Sequence, residues 1–168
     1  MRILFCLHLY CPVHMCGSEM VAHRVLKFLQ SKGHEVRVLL HRDNGLQTPY
    51  TYDGIEVFKA RDRFDQYQWA DRLLCHLDFT QHMCIAAHEC RLPLIHFIHN
   101  DIKYACIANG IRGHHIVYNS EWTKKAIGYD WPSYVLHPPC DIDHYRVDNT
   151  GADAITLISL GYWLRLLA

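Results

Sequence analysis

Gly17 and Ser18 stand where an apolar run ends and an amphipathic one begins, a natural place to hold an anion. The run Ile3-Leu4-Phe5-Cys6-Leu7 leads into a loop over residues 8–18, and a helix-like pattern follows. A helix opening there aims unpaired N–H groups and the positive end of its dipole over the loop, which suits a phosphate. His14 and Cys16 share that loop and complete its candidate contacts. The plainer alternative is an ordinary connection with one glycine and one cap.

His99 is the second candidate. It ends an apolar strand in which Ile95, Phe97 and His99 share one face and Leu94, His96 and Ile98 the other. Its imidazole can therefore reach the carboxyl edge of a sheet, where ligands bind in α/β folds. A core or capping histidine is the competing account. Asn100-Asp101 can meet a ligand hydroxyl or cap a helix. Asn119-Ser120 can line a cleft or cap the helix that follows. Fourteen histidines raise the question of a metal, but His114-His115 are adjacent and His82 and His88 are six apart. Neither spacing builds a ligand set on one helix face, and no metal is expected.

The elements that must position these residues follow from periodicity. The first strand takes residues 3–7. A helix capped by Ser18 turns Val21, Val25, Phe28 and Leu29 to one face, beside Ala22 and Leu26. Lys27 and Lys32 suit the negative end of its dipole, and Gly33 stops it. Strands are predicted over 35–40, 55–58, 73–77, 94–98, 116–118 and 134–136, and helices over 80–90, 100–109 and from Asn119 or Ser120 to Ile127. Residues 41–53 and 59–68 read as polar or charged loops. Strands alternating with helices at this spacing predict an α/β fold with a doubly wound, mostly parallel, Rossmann-like sheet.

Composition bounds the functions. The chain has 168 residues, 50% apolar and 20% charged, with a formal net charge of zero. That is enough for one domain with a real core, and no global field draws it to nucleic acid. Eight cysteines without a C-x-x-C pair suit free thiols in a reducing cytoplasm better than a disulfide framework. No run reaches the roughly 18 apolar residues of a membrane span, although peripheral membrane contact stays compatible.

Four places in order carry a family resemblance: Pro12 with Cys16-Gly17-Ser18-Glu19, Gly33-His34-Glu35-Val36, Ile95-His96-Phe97-Ile98-His99-Asn100-Asp101, and Val135 to Tyr145 with His137-Pro138-Pro139-Cys140-Asp141. Together they resemble the N-terminal domain of GT-B glycosyltransferases, in particular the large retaining family four. The resemblance implies an N-terminal, acceptor-side domain over 1–145, a linker over 146–154, and a stub over 155–168. The stub either opens the C-terminal domain or docks as a last strand and helix. It further implies sugar transfer from a nucleotide diphosphate sugar to the hydroxyl of an acceptor sugar or lipid, with no cofactor or metal. His99 would orient and polarise the sugar as catalytic residue. His14, Cys16, Gly17, Ser18, Asp101, Asn119 and Ser120 would touch substrate. Cys16 departs from the family's first glycine and puts a Cβ where glycine leaves room. The paired-glutamate motif and basic diphosphate-binding residues belong to the family's C-terminal domain and are not among these 168 residues. Little turnover is therefore expected of this chain alone. The alternatives are a half-enzyme completed by a partner chain and a non-catalytic binding module. A nicotinamide-dependent oxidoreductase fits poorly, because the first loop has only Gly17 and the second strand ends in Leu40-His41 rather than an acidic residue.

Overall fold

In the computed structural model the described residues are 1–42, 44–47, 49–76, 80–99, 114–129 and 132–139. The predicted short helix over 100–109, Asp101, the linker and the 155–168 stub lie outside them.

The chain builds β1 (Arg2–Leu7), α1 (Gly17–Ser31), β2 (Glu35–Leu40), β3 (Tyr50–Tyr52), β4 (Ile55–Lys59), α2 (Arg63–Trp69), β5 (Arg72–His76), α3 (Thr80–Glu89), β6 (Leu94–Ile98), β7 (His115–Tyr118), α4 (Glu121–Ile127) and β8 (Ser133–Val135). The eight strands form one sheet in the order β3-β4-β2-β1-β5-β6-β7-β8. Every pairing is parallel except β3 with β4. The fold is α/β, doubly wound and Rossmann-like. From β1 the chain moves outward through β2 to β4, then returns to the other side of β1 with β5. The direction of winding therefore reverses between β1 and β5, and a crevice at the carboxyl edge belongs to such a point.

β1 explains itself physically. Ile3, Phe5 and Leu7 sit in the cluster on the α1 side; Leu4 and Cys6 sit in the cluster on the α2 and α3 side. A central parallel strand is covered on both faces, so an unbroken apolar run is the required pattern. The same parity puts Phe97 and Ile95 on the α1 side and Leu94 on the other, as the alternation predicts.

Several expectations need correction. Cys16, with extended backbone, is the N-cap of α1, and no side chain caps it. Ser18 lies within the first turn, and its hydroxyl donates to Glu19 Oε2 at 2.9 Å. The buried stripe of α1 is Glu19, Ala22, His23 and Leu26. Phe28 is 60% exposed. The helix turns two polar residues inward because both find partners there. No basic residue occupies its last turn. Lys27 instead reaches sideways, its ammonium donating to the Asp53 carbonyl at 2.8 Å. Gly33 behaves as expected: its φ is +81°, and its N–H closes onto the Gln30 carbonyl at 2.9 Å.

Residues 59–68, expected as loop, contain a 3-10 turn (Ala60–Asp62) and most of α2. Buried Tyr67 anchors that helix. Arg37 of β2 reinforces it, donating to Gln66 at 3.2 Å and lying 4.1 Å from the Trp69 ring centroid. The supposed loop over 41–53 holds β3, which forms a hairpin with β4 through a turn at Asp53 and Gly54. β8 covers 133–135, one residue earlier than expected, although the Leu136 N–H still bonds to the Tyr118 carbonyl at 2.9 Å. Among the described residues Cys6, Cys11, Cys75 and Cys84 are buried and Cys16 and Cys90 exposed, with no disulfide between them. No helix of the described residues is long and apolar enough to cross a membrane.

Candidate functional site

The loop between β1 and α1 is held from beneath by side chains. Tyr10 is fully buried, and its hydroxyl lies 2.7 Å from His23 Nδ1. The Tyr50 hydroxyl donates to the Cys11 carbonyl at 2.8 Å and accepts from Asn44 Nδ2 at 3.0 Å. Burial pushes the Tyr50 phenol up to about 12, so it stays a donor at any physiological pH. Cys11 packs its sulfur 3.9 Å from that of Met20. On this base the backbone rises to an exposed crest, with Val13, Met15, Cys16 and Gly17 open to solvent and His14 half-buried.

Among the described residues no side chain caps the opening of α1. The first intrahelical bond at this end runs from the Met20 N–H to the Cys16 carbonyl at 3.0 Å. The amides of Gly17, Ser18 and Glu19 precede it and lack a capping side chain. A Cβ built on Gly17 would meet nothing within 4 Å, so the space above that turn is open. Glycine is not needed there for internal packing; the room it leaves faces outward.

Glu19 and His99 connect this turn to β6. Glu19 is 8% exposed although charged. Burial pushes the His99 imidazole below its ordinary value, and the Glu19 carboxylate pulls it partly back. The end of β6 and the opening of α1 both lie at the carboxyl edge, where Val21 and His99 line one cleft. The His99 ring stacks near parallel on Phe97 (6.3 Å, 17°) and meets His76 edge-on at 5.8 Å. Those contacts fix its plane. Its Nε2 is buried and meets no hydrogen-bond partner among the described residues. A neutral imidazole held in this way has one donor or acceptor atom left for a group that enters the cleft beside it.

Asn119 and Ser120 are committed to structure. Asn119 Nδ2 donates to the His99 carbonyl at 2.7 Å, and its Oδ1 accepts from the Thr123 hydroxyl at 2.6 Å. Ser120 caps α4, its hydroxyl accepting from the Thr123 N–H at 3.1 Å. These bonds tie β6 to the start of α4 and leave the two side chains little to offer a substrate. Asp101 lies outside the described residues.

A narrow cleft of about 10 Å³, room for one water, opens between Val21, Phe97, His99, Asn119 and His137. Two larger cavities lie elsewhere. One, about 450 Å³, is apolar and sits between α2 and α3 beside Phe64, Tyr67 and Ile85. The other, about 660 Å³, sits at the amino edge beside Arg72, Arg91 and His115. Neither touches Gly17 or His99, so volume and chemistry disagree. The chemistry carries more weight here, because donors, an oriented imidazole and a buried carboxylate converge at one edge.

Sequence reasoning did not assign Glu19, His23, Tyr50 or Asp53 to this site. A signal existed for two of them: Glu19, Ala22, His23 and Leu26 recur at the spacing of one helix face, and polar residues on a buried stripe have partners. No family model matches the chain, and no curated protein matches it.

Proposed function

We propose that this chain supplies the acceptor-side wall of a nucleotide-sugar site in a retaining glycosyltransferase of the GT-B, family-four kind. The observation that carries the reading is the shared edge: the open first turn of α1 and the half-buried His99, oriented by Phe97 and His76, both lie at the carboxyl edge, and the Glu19 charge acts on His99. The winding reversal between β1 and β5 puts that edge where α/β folds bind nucleotides.

In this reading the amides of Gly17, Ser18 and Glu19 meet the donor's diphosphate or the transferred sugar. His99, neutral at pH 7, hydrogen-bonds the sugar and steadies the charge that develops as the phosphate leaves. His14 and Cys16 border the same opening. The acceptor is a sugar or lipid hydroxyl, approached over the exposed crest at Val13 and Met15. No cofactor or metal is invoked. A C-terminal domain or a partner chain with acidic and basic diphosphate contacts completes the site.

Titration of the ¹⁵N-labelled chain with a panel of nucleotide diphosphate sugars tests this. Weak, saturable shifts are expected at Gly17, Ser18, Glu19 and His99, with little hydrolysis or transfer. No shift at these positions with any donor overturns the reading, and substantial turnover by the 168-residue chain alone overturns the need for a second half.

A further inference from the structure

We propose that Tyr10, His23 and Asp53 form a positioning relay whose hold on the loop after β1 weakens when His23 takes up a proton. What this does to a ligand rests on the function proposed above; the relay itself rests on geometry.

The relay spans three elements. Tyr10 belongs to the loop, His23 to α1, and Asp53 to the turn between β3 and β4. The Tyr10 hydroxyl lies 2.7 Å from His23 Nδ1, and His23 Nε2 lies 3.2 Å from Asp53 Oδ2. A carboxylate only accepts, so Nε2 carries the hydrogen on that side. In the neutral ring Nδ1 is then an acceptor, and Tyr10 donates to it. A second proton must enter at Nδ1, the atom that Tyr10 occupies. The hydroxyl must then change from donor to acceptor, and its own hydrogen meets no other partner among the described residues. Tyr10 is fully buried and His23 is 8% exposed, so water cannot easily substitute.

The surrounding groups set the balance. Lys27, one turn further along α1, lies 3.4 Å from Asp53 Oδ2. The Tyr52 ring of β3 packs 5.2 Å from the imidazole and 6.2 Å from Tyr10. Cys11 and Tyr50 lie close to Tyr10, and Tyr50 keeps its own bond to the Cys11 carbonyl. Burial holds His23 below the ordinary value of 6.5; the bond and charge of Asp53 oppose this, and Lys27 adds to it. The relay is fully paired at neutral pH, and in mild acid the Tyr10–His23 bond reverses and strands the buried Tyr10 hydrogen. What it loosens is the Tyr10 stretch of the loop leading to Cys16 and Gly17.

An NMR pH titration of the ligand-free 168-residue chain tests this. His23 is expected to titrate below 6.5, with the amides of Tyr10, His14 and Cys16 shifting along the same curve. Asp53→Asn keeps the turn, because asparagine tolerates the φ of +46° found there. Without the carboxylate charge the His23 midpoint should fall by about half a pH unit or more, and the loop curve should follow. In Tyr10→Phe the loop curve should no longer track His23. Loop amides without an inflection at the wild-type His23 midpoint overturn the proposal, as does an unmoved midpoint in Asp53→Asn or an unchanged loop curve in Tyr10→Phe. No ligand enters the experiment, so its failure leaves the nucleotide-sugar reading untouched, and failure of that reading leaves the relay standing.

Discussion

Two of the turns at the carboxyl edge of this sheet are braced by opposite means. The turn after β1 rests on side chains from distant segments: buried His23 from α1, half-buried Tyr50 from β3 and exposed Asp53 from the hairpin. The turn after β7 rests on one amide and one hydroxyl, Asn119 and Ser120, which bond to backbone and to a neighbour within their own cap. The first arrangement includes an ionisable group in its chain of bonds, so proton uptake can loosen it. The second has none. A site built across both turns has one wall that responds to acid and one that does not.

Tyr10→Ala breaks the comparison most severely. It removes a fully buried ring and leaves His23 Nδ1 without a donor. A loss of about 3–5 kcal/mol is expected, read by urea unfolding. A loss under about 1 kcal/mol would mean that the first turn is not held from beneath. Asn119→Ala should cost about 1–3 kcal/mol, since the His99 carbonyl and the Thr123 hydroxyl both lose a partner. Its hydrogen-exchange signature should stay within α4 and the end of β6. Tyr50→Phe deletes one bond to the Cys11 carbonyl without deleting the ring. It should cost about 0.5–1.5 kcal/mol, with faster exchange confined to the loop after β1.

The two turns also differ in how far a sequence reveals them. Ser120 was legible as a cap, because a hydroxyl three residues before a partner N–H is a local pattern. Gly33 was legible for the same reason, as were the strands of the parallel sheet, whose apolar runs are set by burial on both faces. The bracing of the first turn was not, because it is set by partners 39 residues away for Tyr50 and 30 for His23 with Asp53. The hairpin that brings them in was hidden in a segment whose polar character reads as loop. α2 was hidden likewise: its charged surface outweighed Tyr67, the residue that buries it. Of the expected helix face Ala22, Leu26, Val25 and Leu29 do pack on the core and Phe28 does not; Glu19 and His23 were missed because they are polar yet buried, and only tertiary partners make that stable. Of the candidate site, Gly17, Ser18 and His99 fall together at one edge as the pattern implied. Asn119 and Ser120 fall beside them and are used structurally.

The finest test of the comparison is the pH dependence of stability, where both sides of the edge contribute. His23, His99 and His114 are all held below the ordinary histidine value of 6.5, in each case mainly by burial. The unfolded chain then binds protons that the folded chain resists. Stability should be unaffected by these groups above about 6.5, fall as pH drops below it, and level off once the folded imidazoles also protonate. Asp71 works in a separate window. The Arg2 guanidinium and N–H hold its carboxyl at about 2, against an ordinary 3.8. Its contribution is present above 3.8 and disappears as pH falls towards 2. Urea midpoints measured from pH 8 to pH 3 should show the histidine decline first. In Asp71→Asn that decline should persist while the lower one vanishes. A flat profile between pH 7 and pH 5 would contradict the lowered position of all three imidazoles, the His23 that braces the first turn included.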